Sequence, residues 1–271
     1  MLTDEEISGF VSDGYVAVRG AVPAEVTRAC QDVIWSELAS RGVRRDDRST
    51  WTAPVVRIPC PEGGPFVEAG MSVRLREACD QLLGPDRWWR RPGVGGSIPV
   101  RFPREEDPGD AGWHLDGGFE ADGERRVSIR SRGAALLALF LFSDVDERSA
   151  PTRLRPGSHT DTARVLAPAG EAGLEWADAA RQAAEASARR PVVLATGQAG
   201  DVFLGHEFLV HAASWPHRGD QPRMMAQPSI VLLSEYPLPA LPAPSATPAE
   251  QAILRSLTSQ AGAGMITEPG Q

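Results

Sequence analysis

The sequence predicts a mainly β fold with flanking helices, of the double-stranded β-helix (jelly-roll, cupin-like) kind. From Gly95 onward, short β-type runs are separated by Pro, Gly and Asp, with one helical interruption. Several short strands joined by turn signals favour a sandwich or barrel over a parallel sheet with crossover helices. Apolar residues make up 42% of the 271 residues, enough for a large core, and no internal repeat divides the chain.

The chain is expected to form one domain, residues 1–271, in three parts. Residues 1–94 are predicted to be an N-terminal α/β support. Residues 95–235 are predicted to form the jelly-roll core, with a helical insert at about 169–190, where the sequence is rich in alanine and glutamate. Residues 236–271 are predicted to be a Pro/Ala-rich C-terminal tail, because such a segment cannot build a sheet interior.

The N-terminal support opens with a capping box, Thr3 with Glu6 three positions on, which predicts a helix over residues 3–12. A short strand is predicted at 15–18. The segment that follows begins with a proline, and its apolar residues at helical spacing predict a second helix ending near Leu38.

The core strands follow from β-type runs between turn signals. They are predicted at 97–102, 125–129, 134–142, 192–195, 201–211 and 224–235. Within the tail, a second capping box, Thr247 with Glu250, predicts a short helix to about Leu257.

Composition excludes several classes of function. A formal net charge of −8 without a cluster of cations argues against nucleic-acid binding and against a membrane-surface role. The N-terminus has no secretory signal, and no run approaches the ~20 apolar residues of a membrane span. Cys30, Cys60 and Cys79 are odd in number and fit no metal-finger spacing, which favours a reducing cytoplasm. We expect a cytoplasmic monomer or homodimer that acts on a small-molecule substrate.

The stretch WHLDGG, residues 113–118, carries the first candidate ligands. In a strand, residues two apart face the same side, so His114 and Asp116 would both project into the interior. The glycines at 117 and 118 would let the chain leave the strand and give a small ligand access to the backbone. An imidazole and a carboxylate on one face are two of the three ligands that a divalent metal site needs.

A third ligand is expected from a histidine on a distant strand, and DVFLGHEFLVH offers His206 and His211. These are five apart, so they face opposite sides of one regular strand. Arg223 lies twelve residues after His211, across a turn-rich stretch centred near His217. If that stretch is a hairpin, His211 and Arg223 are cross-strand neighbours, and the arginine stands beside the metal.

Two histidines and one carboxylate on one face of an octahedral ion is the arrangement of non-haem Fe(II) oxygenases. Bidentate chelation by a 2-oxo acid and binding of O₂ need three vacant positions, which a closed structural zinc site does not leave. The carboxylate at Asp116 favours oxygenation over halogenation, since a smaller residue there would free a position for halide. The chain has no lysine, so any carboxylate held by a side-chain cation is held by arginine or a charged histidine.

Four segments together resemble the phytanoyl-CoA dioxygenase family of iron- and 2-oxoglutarate-dependent oxygenases. They are LTDEEISGFVSDGYVAVRGAVP at the start, GWHLDGGF, FLFSDVDERSAPTRLRPGSH at 140–159 and GDVFLGHEFLVHAASWPHRGDQPR at 200–223. The resemblance covers roughly residues 2–235 in order and spacing, which is more specific than the His-x-Asp triplet alone.

The resemblance implies a jelly-roll core, Fe(II) held by His114, Asp116 and His211, and 2-oxoglutarate held by Arg223. It also places Arg101 in a region that the family uses for cosubstrate or substrate contacts. The family's asparagine after the distal histidine is replaced here by Trp-Pro-His at 215–217, and the lysine that some members use is absent. We expect an arginine or a hydroxyl such as Ser97 or Thr152 to make those contacts.

The expected function is an Fe(II)/2-oxoglutarate-dependent dioxygenase that uses O₂, releases succinate and CO₂, and hydroxylates an unactivated C–H bond of a small molecule. Desaturation, epoxidation and ring formation stay open, and the lysine-free composition suggests a bacterial secondary metabolite as substrate. The alternative is a non-redox cupin-like metal-binding protein. His159 is read as stabilising a loop, and His206 and His217 as neighbours of the site or as exposed.

Overall fold

The computed structural model of the chain describes residues 1–238 and 245–263, with side chains to residue 258. The helices are α1 (Asp4–Asp13), α2 (Ala24–Ala39), α3 (Pro65–Gly70), α4 (Val73–Leu83), α5 (Ser158–Leu166), α6 (Trp176–Ala186) and α7 (Pro248–Ala263). The strands are β1 (Tyr15–Val18), β2 (Val55–Pro59), β3 (Ser97–Arg101), β4 (Phe119–Ala121), β5 (Glu124–Val127), β6 (Ala134–Leu141), β7 (Arg153–Leu154), β8 (Leu174–Glu175), β9 (Val193–Leu194), β10 (Val202–His206), β11 (His211–Ala212), β12 (Met225–Ala226) and β13 (Ser229–Val231). Helices α1 and α2, strand β1 and most core strands lie where the sequence predicts them.

Local signals explain the first helix. The Glu6 amide donates to Thr3 Oγ1 (3.2 Å) and the Thr3 amide donates to Glu6 Oε2 (2.8 Å), which confirms the capping box. The helix ends at Gly14, whose φ of 83° is left-handed. A Cβ there would lie 2.3 Å from Nδ1 of His159, so this close approach also requires glycine.

The central sheet is antiparallel, in the order β1-β10-β6-β12, and β13 also pairs with β6. All eight residues of β6 are buried, because both faces of the strand are covered. Alternate residues enter two separate apolar clusters, as the period of two in a strand requires. Leu136, Ala138 and Phe140 join the large cluster under the helices, and Leu137, Leu139 and Leu141 join a smaller one.

A second, three-stranded sheet, β11-β7-β9, contributes Leu154 to that smaller cluster and therefore packs on the other face of β6. The predicted strand 201–211 is thus two strands in two sheets. β10 ends at His206, the chain turns with the Leu209 amide donating to the His206 carbonyl (2.8 Å), and β11 begins at His211. The two remaining sheets are β2-β3 and β4-β5-β8.

The helical parts depart from the prediction in two places. The predicted insert at 169–190 contains α6, but α5 lies ahead of it and was not predicted. The predicted tail, 236–271, contains α7, which is a packed helix. It buries Ala249, Ala252 and Ile253 at helical spacing and contacts α1, α4 and α5. Its Thr247–Glu250 capping box is as predicted, and the Pro/Ala-rich residues 239–244 lie outside the described part.

The architecture of β sheets with flanking helices confirms the coarse fold prediction. Within the two described ranges, no helix has the length and apolarity that crossing a bilayer demands. The three cysteines are buried and free, as their odd number suggested.

Candidate metal centre

The three predicted ligands meet at one point, which we call the His–Asp–His cluster (His114, Asp116 and His211). One ligand atom from each residue lies within 4.8 Å of the others. His114 Nε2 is 3.8 Å from Asp116 Oδ1, and His211 Nε2 is 3.5 Å from Asp116 Oδ2. His211 is 3% exposed, whereas the other two side chains are about one-third exposed, so the cluster opens to solvent on one side.

Backbone pairing brings the two histidines together. The His114 amide donates to the His211 carbonyl (2.9 Å), and the His211 amide donates to the His114 carbonyl (3.1 Å). This single bridge joins the segment 112–118 to the end of β11. It places the two imidazole rings 4.4 Å apart between centroids.

Both rings are oriented by their second nitrogen. His114 Nδ1 lies 2.8 Å from the Gly112 carbonyl, and His211 Nδ1 lies 3.0 Å from the Leu209 carbonyl. A carbonyl only accepts, so each Nδ1 carries the hydrogen and each Nε2 keeps its lone pair. A hydrogen bond from the other ring nitrogen is the usual companion of a metal-bound imidazole.

The loop that carries Asp116 is held by hydrogen bonds from side chains to its backbone carbonyls. Trp176 Nε1 donates to the Leu115 carbonyl (3.0 Å), and Arg125 Nη2 donates to the Asp116 carbonyl (2.7 Å). The Arg125 guanidinium stacks 4.9 Å from the Trp176 ring, so the two donors support each other. Neither residue was singled out from the sequence, because both act through backbone atoms and belong to no motif.

Gly117 allows a close approach on the other side of this loop. A Cβ at Gly117 would lie 2.8 Å from Oε2 of Glu207, which is 2% exposed. The close approach at Gly117 is therefore to a buried carboxyl group, and the predicted access of a small ligand to this backbone stays a prediction.

The electrostatics of the cluster favour a charged Asp116 and a neutral His114, and they raise the proton affinity of His211. Burial alone would raise the pKa of Asp116, but His211 and then His114 lower it to about 2. Burial, and then His211, lower the pKa of His114. Burial would also lower the pKa of His211, but the Asp116 carboxylate outweighs it and raises that pKa. A divalent cation would replace these proton-dependent contacts.

The donor set fits a divalent transition metal. Two imidazole nitrogens with free lone pairs and one ionised carboxylate match the facial arrangement that leaves positions open for other ligands. The cluster is open on one side, as such a site requires. Of the described residues, only these three form a group of histidine, cysteine or carboxylate side chains close enough to hold a metal ion.

Arg223 is buried, 1% exposed, but not where the hairpin argument placed it. It is the backbone neighbour of Arg101, with amide-to-carbonyl bonds of 2.8 and 3.0 Å, whereas His211 pairs with His114 and with Leu154 of β7. The hairpin prediction is wrong because the chain crosses from one sheet to the other between His211 and Arg223.

Arg223 and Arg101 form a buried guanidinium pair with a single nearby acid. Arg223 Nη1 donates to the Ala150 carbonyl, and its Nε has no partner. Arg101 Nη2 donates to Asp110 (2.7 Å). Burial, and then Arg101, lower the pKa of Arg223 to about 9, so the group stays cationic at neutral pH. Within residues 1–238 and 245–258, no carboxylate lies within ion-pair distance of Arg223.

Asp110 links this pair to the metal cluster. It receives hydrogen bonds from Arg101 and from Arg57 Nη2 (2.5 Å). Burial would raise its pKa, but these two arginines lower it. Asp110 also acts on the pKa of both His114 and Arg223, so it lies close to both. Arg223 is thus a buried cation near the cluster, without a carboxylate of its own.

The other two residues predicted to contact the cosubstrate, Thr152 and Ser97, have different outcomes. Thr152 is buried, and the thioether of Met225 at 3.8 Å is the partner of its hydroxyl. It lies two residues after Ala150, the acceptor for Arg223, so its predicted contact stays a prediction. Ser97 is exposed at the far end of β3, about 13 Å along the strand from Arg101. The structure does not bring Ser97 to the site.

The remaining histidines are more buried than expected. His159 lies in α5 rather than in a loop, and His206 is 0% exposed at the end of β10. His217 is 5% exposed, and burial followed by the Arg223 charge lowers its pKa to about 4. None of the three belongs to the His–Asp–His cluster.

An open site built from two histidines and one carboxylate defines the class of non-haem metal oxygenases. The chain belongs to the phytanoyl-CoA dioxygenase family, whose model matches residues 10–225. This is a family of oxygenases that use Fe(II), 2-oxoglutarate and O₂. No curated protein sequence is significantly similar to the chain.

Solved structures share the fold at low sequence identity. The epimerase SnoN in complex with Fe³⁺, α-ketoglutarate and nogalamycin RO has a TM-score of 0.56 and 18% identity, covering 90% of this chain and 92% of that one. EctD from S. alaskensis, with 2-oxoglutarate and 5-hydroxyectoine, has a TM-score of 0.53 and 18% identity, covering 85% and 76%. HygX from Streptomyces hygroscopicus, with nickel and 2-oxoglutarate, has 0.52 and 17%, covering 84% and 86%.

Proposed function

We propose that the protein is an Fe(II)/2-oxoglutarate-dependent dioxygenase in which His114, Asp116 and His211 hold the iron. It oxidises an unactivated C–H bond of a small molecule, with hydroxylation as the expected outcome. The observation that carries the proposal is the orientation of the two imidazoles, whose Nδ1 atoms bond to carbonyls and whose Nε2 atoms face one ionised carboxylate.

When bound, iron and 2-oxoglutarate supply the activation of O₂, with formation of succinate and CO₂. The chain's own residues prepare this chemistry. The carbonyls of Gly112 and Leu209 keep the hydrogen on Nδ1 of His114 and His211. Asp116 stays ionised at neutral pH because its neighbours lower its pKa. Asp116 and His114 can bind a metal without losing a proton, and the metal displaces any proton that Asp116 helps His211 to hold.

Arg223 is the proposed anchor for the distal carboxylate of 2-oxoglutarate. A buried guanidinium without a carboxylate partner is costly unless an anion binds to it. A carboxylate would bind to the planar guanidinium of Arg223, whose Nε has no hydrogen-bond partner. Thr152 and Arg101 are proposed as further contacts, since both lie beside Arg223 or its acceptor Ala150.

The finer fold and the substrate are also proposals. The packing of the sheet β11-β7-β9 on one face of β6, and the fold likeness to SnoN, EctD and HygX, support a double-stranded β-helix. A bacterial secondary metabolite as substrate is supported by the lysine-free composition and by the likeness to SnoN, an enzyme of nogalamycin biosynthesis. We also propose a cytoplasmic location, which the three free cysteines favour.

The test is anaerobic titration of the purified full chain with Fe(II) and 2-oxoglutarate. The wild type is expected to give the weak visible charge-transfer band of the chelate, and His211→Ala is expected to give none. Arg223→Gln is expected to keep iron binding and to weaken 2-oxoglutarate by about 100-fold, the loss of a buried charge-assisted contact. Arg218→Gln is the matched control, because Arg218 is exposed and ion-paired with Glu105.

Absence of the band in the wild type, with tightly held zinc found instead, contradicts the proposal and favours the non-redox cupin-like alternative. Equal 2-oxoglutarate affinity in Arg223→Gln and wild type contradicts the assignment of the anchor alone.

A further inference from the structure

A cleft of about 570 Å³ opens beside the metal cluster, and neither the metal ligands nor the cosubstrate anchor explains its lining. His114 forms part of its wall, so a molecule in the cleft would lie next to the metal position. We call it the Trp113 cleft. Its other wall is α6, whose first residue is Trp176, and Trp113 lies on the side of His114.

The α6 wall is flat and apolar. It presents alanines at 177, 180 and 184 on one face of the helix, and Ala188 lies just past the end of the helix; none of these side chains reaches further than Cβ. The two tryptophans add rigid aromatic surface at the end next to His114. This shape suits a planar, largely apolar molecule better than a long flexible one.

One charged group faces this apolar surface from inside. Arg155 lines the cleft, is 8% exposed and has an Nε without a partner. Its guanidinium carbon stacks 3.9 Å from the centre of the Trp113 ring. Its Nη1 donates to the Ala184 carbonyl (2.6 Å) and to Ser187 Oγ (3.2 Å), which are neutral acceptors.

A second arginine adds positive charge beside the same tryptophan ring. Arg153 is two residues earlier on β7, and its guanidinium carbon lies 4.7 Å from the centre of the Trp113 ring. It donates to the carbonyls of Ala111 (2.7 Å) and Ala213 (2.9 Å), again neutral acceptors. In the part of the chain that the structure describes, neither Arg153 nor Arg155 has a carboxylate within ion-pair distance.

The acids at the rim do not neutralise this charge. Glu185 and Asp178 are more than half exposed and are ion-paired with Arg181, at 3.3 and 3.1 Å. Exposed pairs of this kind are screened by solvent. Asp116 is engaged with the two ligand histidines. The cleft is therefore left with one lining cation, Arg155, and with Arg153 behind the Trp113 ring, and neither charge has a counter-ion among the described residues.

We propose that the Trp113 cleft binds the molecule to be oxidised, and that this substrate is a flat, largely apolar compound carrying a carboxylate that Arg155, assisted by Arg153, holds. The inference rests on the proposed function, because it is the position of His114 in the wall that makes the cleft a substrate site. The apolar body lies along α6 and the tryptophans, and the carboxylate fixes which C–H bond faces the metal.

The test uses a matched pair of probes, 6-fluoro-2-naphthoate and its neutral amide, followed by ¹⁹F NMR with the full chain, Zn(II) and saturating 2-oxoglutarate. The wild type is expected to bind the acid about tenfold more tightly than the amide, a difference of about 1.4 kcal/mol. Arg155→Gln is expected to bring that ratio to about one without weakening the amide. Arg218→Gln, at an exposed arginine outside the cleft, is the matched control and is expected to keep the ratio.

Two further variants keep the test decisive if Arg155→Gln unfolds, since Arg155 also bonds to the end of α6. Arg153→Gln is expected to lower the acid-to-amide ratio about threefold. Ala177→Leu, at an exposed position in the wall, is expected to weaken both probes at least fivefold and to keep their ratio. Replacing Zn(II) by paramagnetic Mn(II) is expected to broaden the bound ¹⁹F signal.

Equal affinity for acid and amide in the wild type, an unchanged ratio in both arginine variants, or absence of Mn(II) broadening would overturn the inference. Displacement of the naphthoate by 2-oxoglutarate would overturn it too, by assigning Arg155 to the cosubstrate. The anaerobic Fe(II)/2-oxoglutarate band separates the two failures. A band without acid preference rejects only the carboxylate substrate, and acid preference without a band rejects only the oxygenase.

Discussion

The protein contains two histidine pairs that differ in what surrounds them. His114 and His211, the ligand pair, have ring centroids 4.4 Å apart, and His159 and His206, the buried pair, have centroids 5.6 Å apart. In the ligand pair each Nδ1 carries the hydrogen and each Nε2 is free. In the buried pair His159 Nε2 lies 3.2 Å from the Val11 carbonyl, and His206 Nδ1 accepts from the Phe208 amide. The hydrogen is therefore on Nε2 in both.

Charge separates the pairs as clearly as tautomer does. Burial lowers the pKa of His159 to about 4, where Asp161 and Asp13 offset only part of the effect, and lowers that of His206 to about 3. In the ligand pair Asp116 raises the pKa of His211 despite its burial. The difference teaches that two close imidazoles do not make a metal site. A carboxylate, free Nε2 atoms and an opening to solvent are needed as well.

The largest expected effect tests this distinction by removing one member of each pair. His211→Ala is expected to lower the affinity for Co(II), a spectroscopic substitute for iron, by about 1,000-fold, or about 4 kcal/mol. His159→Gln is expected to leave it unchanged, because that ring has no role at the metal. Equilibrium dialysis with visible absorption measures both. Equal losses would mean that the buried pair also contributes to metal binding.

The next effect concerns stability. The buried pair is neutral in the folded protein, whereas unfolded histidines take up protons below about pH 6.5. The stabilisation is complete above that pH and is lost as the pH falls toward 4. We expect the buried pair to contribute about 3 kcal/mol to the fall in the free energy of unfolding between pH 6.5 and pH 5. Urea titrations measure the fall, and a double variant, His159→Gln with His206→Gln, is expected to reduce it by about that amount and to leave the part that His217 contributes.

A smaller effect sharpens the role of the loop that presents Asp116. Trp176→Phe keeps the ring under Arg125 and deletes the hydrogen bond to the Leu115 carbonyl. We expect Co(II) affinity to fall about tenfold, the loss typical of outer partners of a metal ligand. Trp89→Phe, at an exposed tryptophan far from the loop, is the matched control. Unchanged affinity in Trp176→Phe would show that the loop needs no such support.

The smallest effect concerns Glu207, the acid that follows His206 in the chain yet has no hydrogen-bond partner for either oxygen. Burial raises its pKa well above the usual value, so it is protonated when folded and ionises on unfolding. Its contribution to stability is full below about pH 4.3 and is lost as the pH rises. Glu207→Gln is expected to add about 1 kcal/mol at pH 7 and nothing near pH 4. Glu105→Gln, at an exposed acid, is expected to show no such gain in urea titrations.

Much of the fold followed from local signals. The capping boxes at Thr3 and Thr247 and the apolar run of β6 between turn signals act within a few residues, so the sequence alone reveals them. The docking of α7 was not predicted, because its small alanine-based stripe does not show which helices it meets. Helix α5 was missed because its sequence has no long stripe of apolar residues at helical spacing.

The ligands were predictable and their surroundings were not. Spacing of two in WHLDGG placed His114 and Asp116 together, and the family resemblance identified His211. The turn after His206 is marked in DVFLGHEFLVH only by Gly205 and Glu207, which were included in one predicted strand, so the split into two sheets was missed. The arginines at 153 and 155 do alternate in TRLR, which could have shown that they share a face.

The contact between α1 and α7 joins the first and the last helices that the structure describes. Phe10 and Ile253 are buried in the same cluster although most of the chain separates them. Nearly all of the polypeptide must therefore be synthesised before α7 can cover the apolar face of α1. Until then that face is exposed and available for binding by a chaperone. Fusions at the carboxyl end and premature stop codons are expected to lower the yield of folded protein more than substitutions at exposed positions.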